Sequence, residues 1–178
     1  MDIHSANECT RCALSETRTT VVFGSGSLDA ALIVIGEAPG KSEDEGGAPF
    51  IGRSGQLLFS LIAEELTMSR EDCYVTNVVK CRPPENRTPL APEIAACAPW
   101  LEVQRSMWSG KVVLTLGLTA ARAMTGSKAA MKDLHGVPLV RDHLTIVPTY
   151  HPAAALRQGP SVVAVMRADL AVVRGLLS

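Results

Sequence analysis

Four stretches of the chain, 31–36, 73–79, 111–117 and 144–148, are apolar almost without interruption and rich in valine, isoleucine and leucine. Continuous hydrophobicity over so few residues suits strands covered on both faces, as in a parallel sheet. The segments between them carry helical spacing instead. SGQLLFSLIAEEL sets Leu57, Leu58, Leu61, Ile62 and Leu66 on one face. APEIAACAPWLEVQRSM opens with an early proline, where a missing N–H costs nothing. LTAARAM follows the third run and VVAVMRADLAVVRGLL closes the chain. Strand alternating with helix predicts an α/β fold: a single three-layer α/β/α sandwich over 1–178, with a short, mainly parallel four-stranded central sheet. Around the fourth run, HGVPLVRDHLTIVPTYHP reads as an irregular strand or hairpin.

Polar residues gather where these runs end. Loops 38–53 and 80–91 exceed ordinary connection lengths, and long ordered loops are usually functional. Both follow the carboxyl ends of predicted strands, where open α/β sheets bind their ligands. His151 also follows an apolar run, so three polar elements converge on one edge. At the tip of the first strand, ALIVIG runs straight into Glu37, Pro39 and Gly40, a carboxylate followed by residues that let backbone approach something closely. Asn77 lies among Val75, Val78 and Val79, where a buried amide must find a hydrogen bond or cost energy. A G-x-G in FGSGSLDA precedes its strand instead of following it, which excludes a dinucleotide fingerprint.

A net charge of −1 excludes a general polycation, but leaves room for a local basic face. Arg53, Lys80, Arg82, Arg87 and Arg157 cluster around the predicted edge and are candidates for phosphate contacts. No apolar run approaches the roughly 20 residues that cross a bilayer. The start, MDIHSANECTRC, lacks the apolar segment of a secretory signal, so a cytoplasmic protein without membrane partners is expected.

Five cysteines, an odd number, argue against a disulfide framework. Cys9 and Cys12 form a C-x2-C pair; Cys81 opens a loop that leads to Cys97 on a predicted helix. Cys73, inside an apolar run, reads as a core thiol. Four thiolates would suit zinc, although its usual second C-x2-C knuckle is missing, or an iron–sulfur cluster, which tolerates irregular spacing. Buried free thiols are the plain alternative.

In order along the chain, GEAPGKSED, GAPFIGRSGQLL, YVTNVVKCRPPENRTPLAPEIAAC and YHPAAALR, together with Cys9, Cys12, Cys81 and Cys97, resemble the family 4 uracil-DNA glycosylases. These are base-excision enzymes of bacteria and archaea that carry a 4Fe-4S cluster. The resemblance implies that fold, that cluster on those four cysteines, and uracil-containing DNA, single- or double-stranded, as the substrate of a monomeric enzyme. It implies hydrolysis of the N-glycosidic bond of a flipped deoxyuridine.

The same resemblance assigns roles. Phe50 would stack on the flipped base, against the alternative of a core anchor; Asn77 would read the O4 and N3–H edge. His151 would donate to uracil O2 as negative charge builds there. Glu37 would orient or activate water, or stabilise the cationic sugar, with Asn86 a possible accessory. Gly36 and Ala38, in the GEAPG turn, would contact the nucleotide through the main chain. Glu43 would crowd the C5 edge against thymine's methyl, its bland alternative being a solvated acidic loop. Leu156 or Arg157 would fill the gap left by the base. A covalent DNA-trapping relative uses a histidine in a basic insertion; KCRPPENRTPLAP has neither, so turnover is expected. A non-catalytic iron–sulfur DNA-binding module is the other alternative, and intact Glu37, Asn77 and His151 argue against it.

Overall fold

The structure, a computed structural model, describes residues 3–178, so the first two residues of the N-terminal segment lie outside it. The apolar runs become strands whose residues are nearly all buried. They are β1 (Leu32–Gly36), β2 (Cys73–Asn77), β3 (Val112–Leu116) and β5 (Leu144–Thr149). A further strand, β4 (Leu139–Arg141), precedes β5. The sheet order is β2-β1-β3-β5-β4, parallel except for the antiparallel β4–β5 pair. The expected four-stranded sheet is therefore five-stranded. Its extra strand is half of the anticipated hairpin, turned at Asp142, which takes φ 56°.

The helices, in chain order, are α1 (Ile3–Asn7), α2 (Lys41–Gly46), α3 (Arg53–Leu66), α4 (Ala91–Met107), α5 (Leu118–Thr125), α6 (Met131–Leu134), α7 (Pro152–Gln158) and α8 (Pro160–Leu177). Alternate strand residues face opposite layers, as a pleated strand requires. Ile33, Ile35, Val113 and Ile146 pack against Trp100 and Leu101 of α4 and Ala120 and Met124 of α5. Leu32, Val34, Val75, Leu114 and Val147 pack against Leu58, Leu61 and Ile62 of α3 and Met166, Leu170 and Val173 of α8. This is the three-layer sandwich. The two long loops are partly ordered by short helical turns, α2 in the first and a 3-10 turn (Pro84–Asn86) in the second. Among the described residues, no helix is long and apolar enough to cross a membrane.

Candidate active site

A cleft of about 660 Å³ opens at the carboxyl ends of the parallel strands. Its lining includes Glu37, Ala38, Glu43, Phe50, Arg53, Asn77, Asn86, Arg87, His151 and Arg157, residues drawn from every converging element.

The cleft floor is built by strand register. Gly36 and Asn77, the last residues of β1 and β2, are parallel neighbours. Asn77 is 1% exposed, yet its Oδ1 has no hydrogen-bond partner among the described residues. Buried polar atoms are nearly always paired, so an orphan on a cleft wall is free to accept a hydrogen bond from whatever enters. A Cβ at Gly36 would collide with both that oxygen and the Phe50 ring, and only glycine fits there. Phe50 combines both readings of its place: at 7% exposure it packs in the α3-side core and also lines the cleft. Its ring centroid lies 5.9 Å from that of His151, with the planes inclined at 33°.

His151 caps α7. Its Nδ1 accepts from the Ala153 N–H at 3.1 Å, so the proton of the neutral ring sits on Nε2, a donor. Burial, with a contribution from the Arg157 charge, pushes its pKa down to about 4. Glu37, just past β1, accepts from the Thr119 hydroxyl at 2.5 Å, in the first turn of α5. Glu43 accepts from the Gly52 N–H at 2.8 Å, where α3 begins.

A smaller cavity is ringed by Cys9, Cys12, Cys81 and Cys97, with Trp100, Val21 and Val79. All four are free thiols. Three receive N–H donors: the Trp100 indole to Cys9 (3.3 Å), the Lys80 main chain to Cys97 (3.3 Å) and the Arg18 guanidinium to Cys81 (3.4 Å). Such donors turned onto sulfur stabilise thiolates and tune cluster ligands. Burial raises the pKa of Cys81, and that of Cys97 to about 11, so ligation must expel protons. Among the described residues no three His, Cys, Asp or Glu side chains converge to hold a single ion; the thiols ring a space instead. Cys73 is fully buried in β2, outside the ring, its pKa pushed up to about 12 by burial.

Comparison with known proteins decides the family. The model of the uracil DNA glycosylase superfamily matches residues 23–171. The type-4 uracil-DNA glycosylase of Thermotoga maritima is 44% identical over 154 residues, covering 84% of this chain and 79% of the relative. That of Pyrobaculum aerophilum is 39% identical over 189 residues, covering 98% and 94%. The chain belongs to the type-4 uracil-DNA glycosylases. A type-5 enzyme of Thermus thermophilus is 31% identical over 128 residues, covering 64% and 58%.

Not every basic residue of this type-4 glycosylase serves the cleft. Lys80 is a correction: it is 1% exposed, and its ammonium donates to Thr76 Oγ1 (2.8 Å), the Asn77 carbonyl (2.5 Å) and Gln104 Oε1 (2.6 Å). It cannot reach a phosphate. Its burial lowers its pKa to about 7. Arg87 lines the cleft but forks onto Glu93, at 2.6 and 2.8 Å, and so brings little free charge. Arg82 donates to Asn86 at 2.7 Å. Lys41, Arg53 and Arg157 are exposed cations on the cleft wall, and Leu156, 44% exposed, stands beside Arg157 on α7.

The acidic loop is solvated only in part: Lys41, Ser42 and Glu45 are exposed, but two of its carboxylates turn inward. Beside the clamped Glu43, Asp44 is 2% exposed and accepts from the Thr19 and Thr20 N–H groups at 2.9 and 3.2 Å. It ties α2 to the segment that follows Cys12. Sequence reasoning missed Thr119; the available signal was a hydroxyl just after the strand-ending LGL, where the next helix starts at the sheet's ligand edge.

Proposed function

We infer that this chain is a monofunctional DNA glycosylase of base-excision repair: it takes deoxyuridine extruded from DNA and hydrolyses its N-glycosidic bond. Uracil leaves and an abasic site remains. The observation that carries the reading is the orphan Oδ1 of Asn77 on the same cleft wall as Phe50, Glu37 and His151.

The base enters against Phe50, where stacking contributes roughly 1–3 kcal/mol and offsets part of the cost of flipping. The Asn77 carboxamide, donor and acceptor in one plane, matches uracil O4 and N3–H. Cytosine presents an amino group and an unprotonated nitrogen there, and both mismatch. Glu43, held by the Gly52 N–H, crowds the C5 edge. As the C1′–N1 bond breaks, its electron pair leaves with uracil and negative charge grows on O2. The His151 Nε2–H meets that charge. Glu37 faces the sugar side: its carboxylate stabilises the developing cation and orients the water whose oxygen bonds to C1′, and the proton that water gives up balances the charge of the departing uracil anion. Gly36 and Ala38 bring main chain against the nucleotide, Arg53 and Arg157 meet phosphates, and Leu156 occupies the vacated stack. Arg87 contributes mainly by bracing the second loop through Glu93.

The ring of Cys9, Cys12, Cys81 and Cys97 fits a 4Fe-4S cluster better than one ion, since four thiols, three of them facing N–H donors, surround a space instead of a point. Such a group supplies a structural cross-link between the N-terminal segment and the loop after β2; hydrolysis draws no electron from it. The enzyme acts as a monomer, in the cytoplasm, on single- or double-stranded DNA.

Incubation with an end-labelled oligonucleotide containing one uracil, followed by alkali, is expected to cut the strand at that position alone. The same preparation is expected to contain iron in place of zinc. An uncut strand from iron-loaded protein would overturn the assignment. Thr119→Val, which removes the hydroxyl from Glu37, is expected to slow single-turnover excision about tenfold, the scale of one hydrogen bond to a charged group. Thr119→Ser should recover most of the rate.

A further inference from the structure

Phe50 is held in an unusual backbone conformation. Its φ is 55°, a left-handed value that non-glycine residues adopt only where surroundings impose it. One feature permits it and a second holds it. Gly55 on α3 has no Cβ, and one there would run into the Phe50 carbonyl. The second is Arg70, in the 3-10 turn (Arg70–Asp72) that leads into β2.

Arg70 is outside the cleft lining. Its Nη1 donates to the Phe50 carbonyl at 3.1 Å, and its Nη2 donates to the preceding Pro49 carbonyl and to Ser25 Oγ at 3.2 Å. The guanidinium carbon lies 4.9 Å from the centre of the Phe59 ring, which fixes its plane. None of these acceptors is a carboxylate, so the fork is committed to the turn and not to an ion pair. Two consecutive carbonyls taken by one rigid planar group fix the direction of the peptide that presents the Phe50 ring. A lysine ammonium, a point donor on a flexible stem, does not reproduce this.

We propose that Arg70 is a positioning residue for uracil excision: from outside the cleft it holds the Pro49–Phe50 turn so that the ring lies parallel to the incoming base. The proposal rests on the reading of Phe50 as the stacking face. Only the ring's pose is at stake, so DNA binding through the cleft cations is untouched.

The test is a double-mutant cycle. Arg70→Gln is expected to slow single-turnover uracil excision about tenfold, within the range of base–aromatic stacking. Affinity for undamaged duplex should stay unchanged. In a Phe50→Leu background, where there is no aromatic face left to aim, the same exchange is expected to change the rate less than twofold. Arg70→Lys should recover only part of the loss. Equal slowing in both backgrounds, or a normal rate for Arg70→Gln, overturns the proposal while leaving the stacking reading intact. A normal rate for Phe50→Leu alone removes the stacking reading and the proposal with it. Should Arg70→Gln not fold, the cycle is run with Arg70→Lys and Ser25→Ala, which weaken the same fork, and the same criteria apply.

Discussion

Replacing Asn77 by aspartate is expected to lower uracil excision about 10⁴- to 10⁵-fold, the scale on which a site built to hydrogen-bond its substrate rejects a mismatched partner. The exchange keeps the size of the side chain but removes the amide donor. In its place stands a carboxylate at a position 1% exposed, against the close-packed Gly36 and Phe50. If ionised, it repels uracil O4; if protonated, it holds a proton only by desolvation, and its single donor must match the amide's direction. Folding should survive, because no other described group depends on the side-chain oxygen. Single-turnover excision at saturating protein, with circular dichroism to establish folding, measures the effect. A rate within tenfold of the parent would remove Asn77 as the edge reader.

The contrast between Asn77 and Lys80 shows what the sequence could and could not reveal. Both stand near the end of one apolar run, and both are 1% exposed. The cleft position of Asn77 was legible because a strand end at the sheet's carboxyl edge is where open α/β sheets place their clefts. Lys80 was misread as a phosphate contact because its acceptors are a threonine hydroxyl one turn of chain away and Gln104, on a helix that only the fold brings beside it. β4 was legible only as part of a possible hairpin: three residues, LVR, mostly exposed, leave no apolar run to count. The strands, by contrast, were visible because burial on both faces writes itself as uninterrupted valine, isoleucine and leucine. Glu43 and Asp44 look like a charged surface in sequence. Backbone N–H groups from distant segments turn them inward, and such groups leave no mark on residue type.

Removal of the His151 imidazole, by His151→Ala, is expected to slow excision about 10²- to 10³-fold, as when one donor aimed at a developing anion is lost. Its pH behaviour separates this role from that of an ordinary titrating histidine. The folded pKa of about 4 lies below the unfolded value near 6.5, so the neutral form is favoured by folding. Above pH 6.5 neither state binds the proton and the group contributes no pH dependence. As pH falls from about 6.5 to about 4, the unfolded chain takes up a proton that the folded chain refuses, and stability declines by up to about 3 kcal/mol. Protonation of Nδ1 would also set two donors against each other at the α7 cap, where the Ala153 N–H now points at a lone pair. The ring is therefore expected to stay neutral, with Nε2–H as its donor, across the physiological range. Excision by the parent enzyme should show no limb near pH 6.5 that depends on this residue, and denaturant unfolding of His151→Ala should lose the decline between pH 6.5 and 4. A parent rate that falls with a midpoint near 6.5, and a variant that does not, would mean that His151 titrates as an exposed imidazole and that the buried neutral donor is wrong.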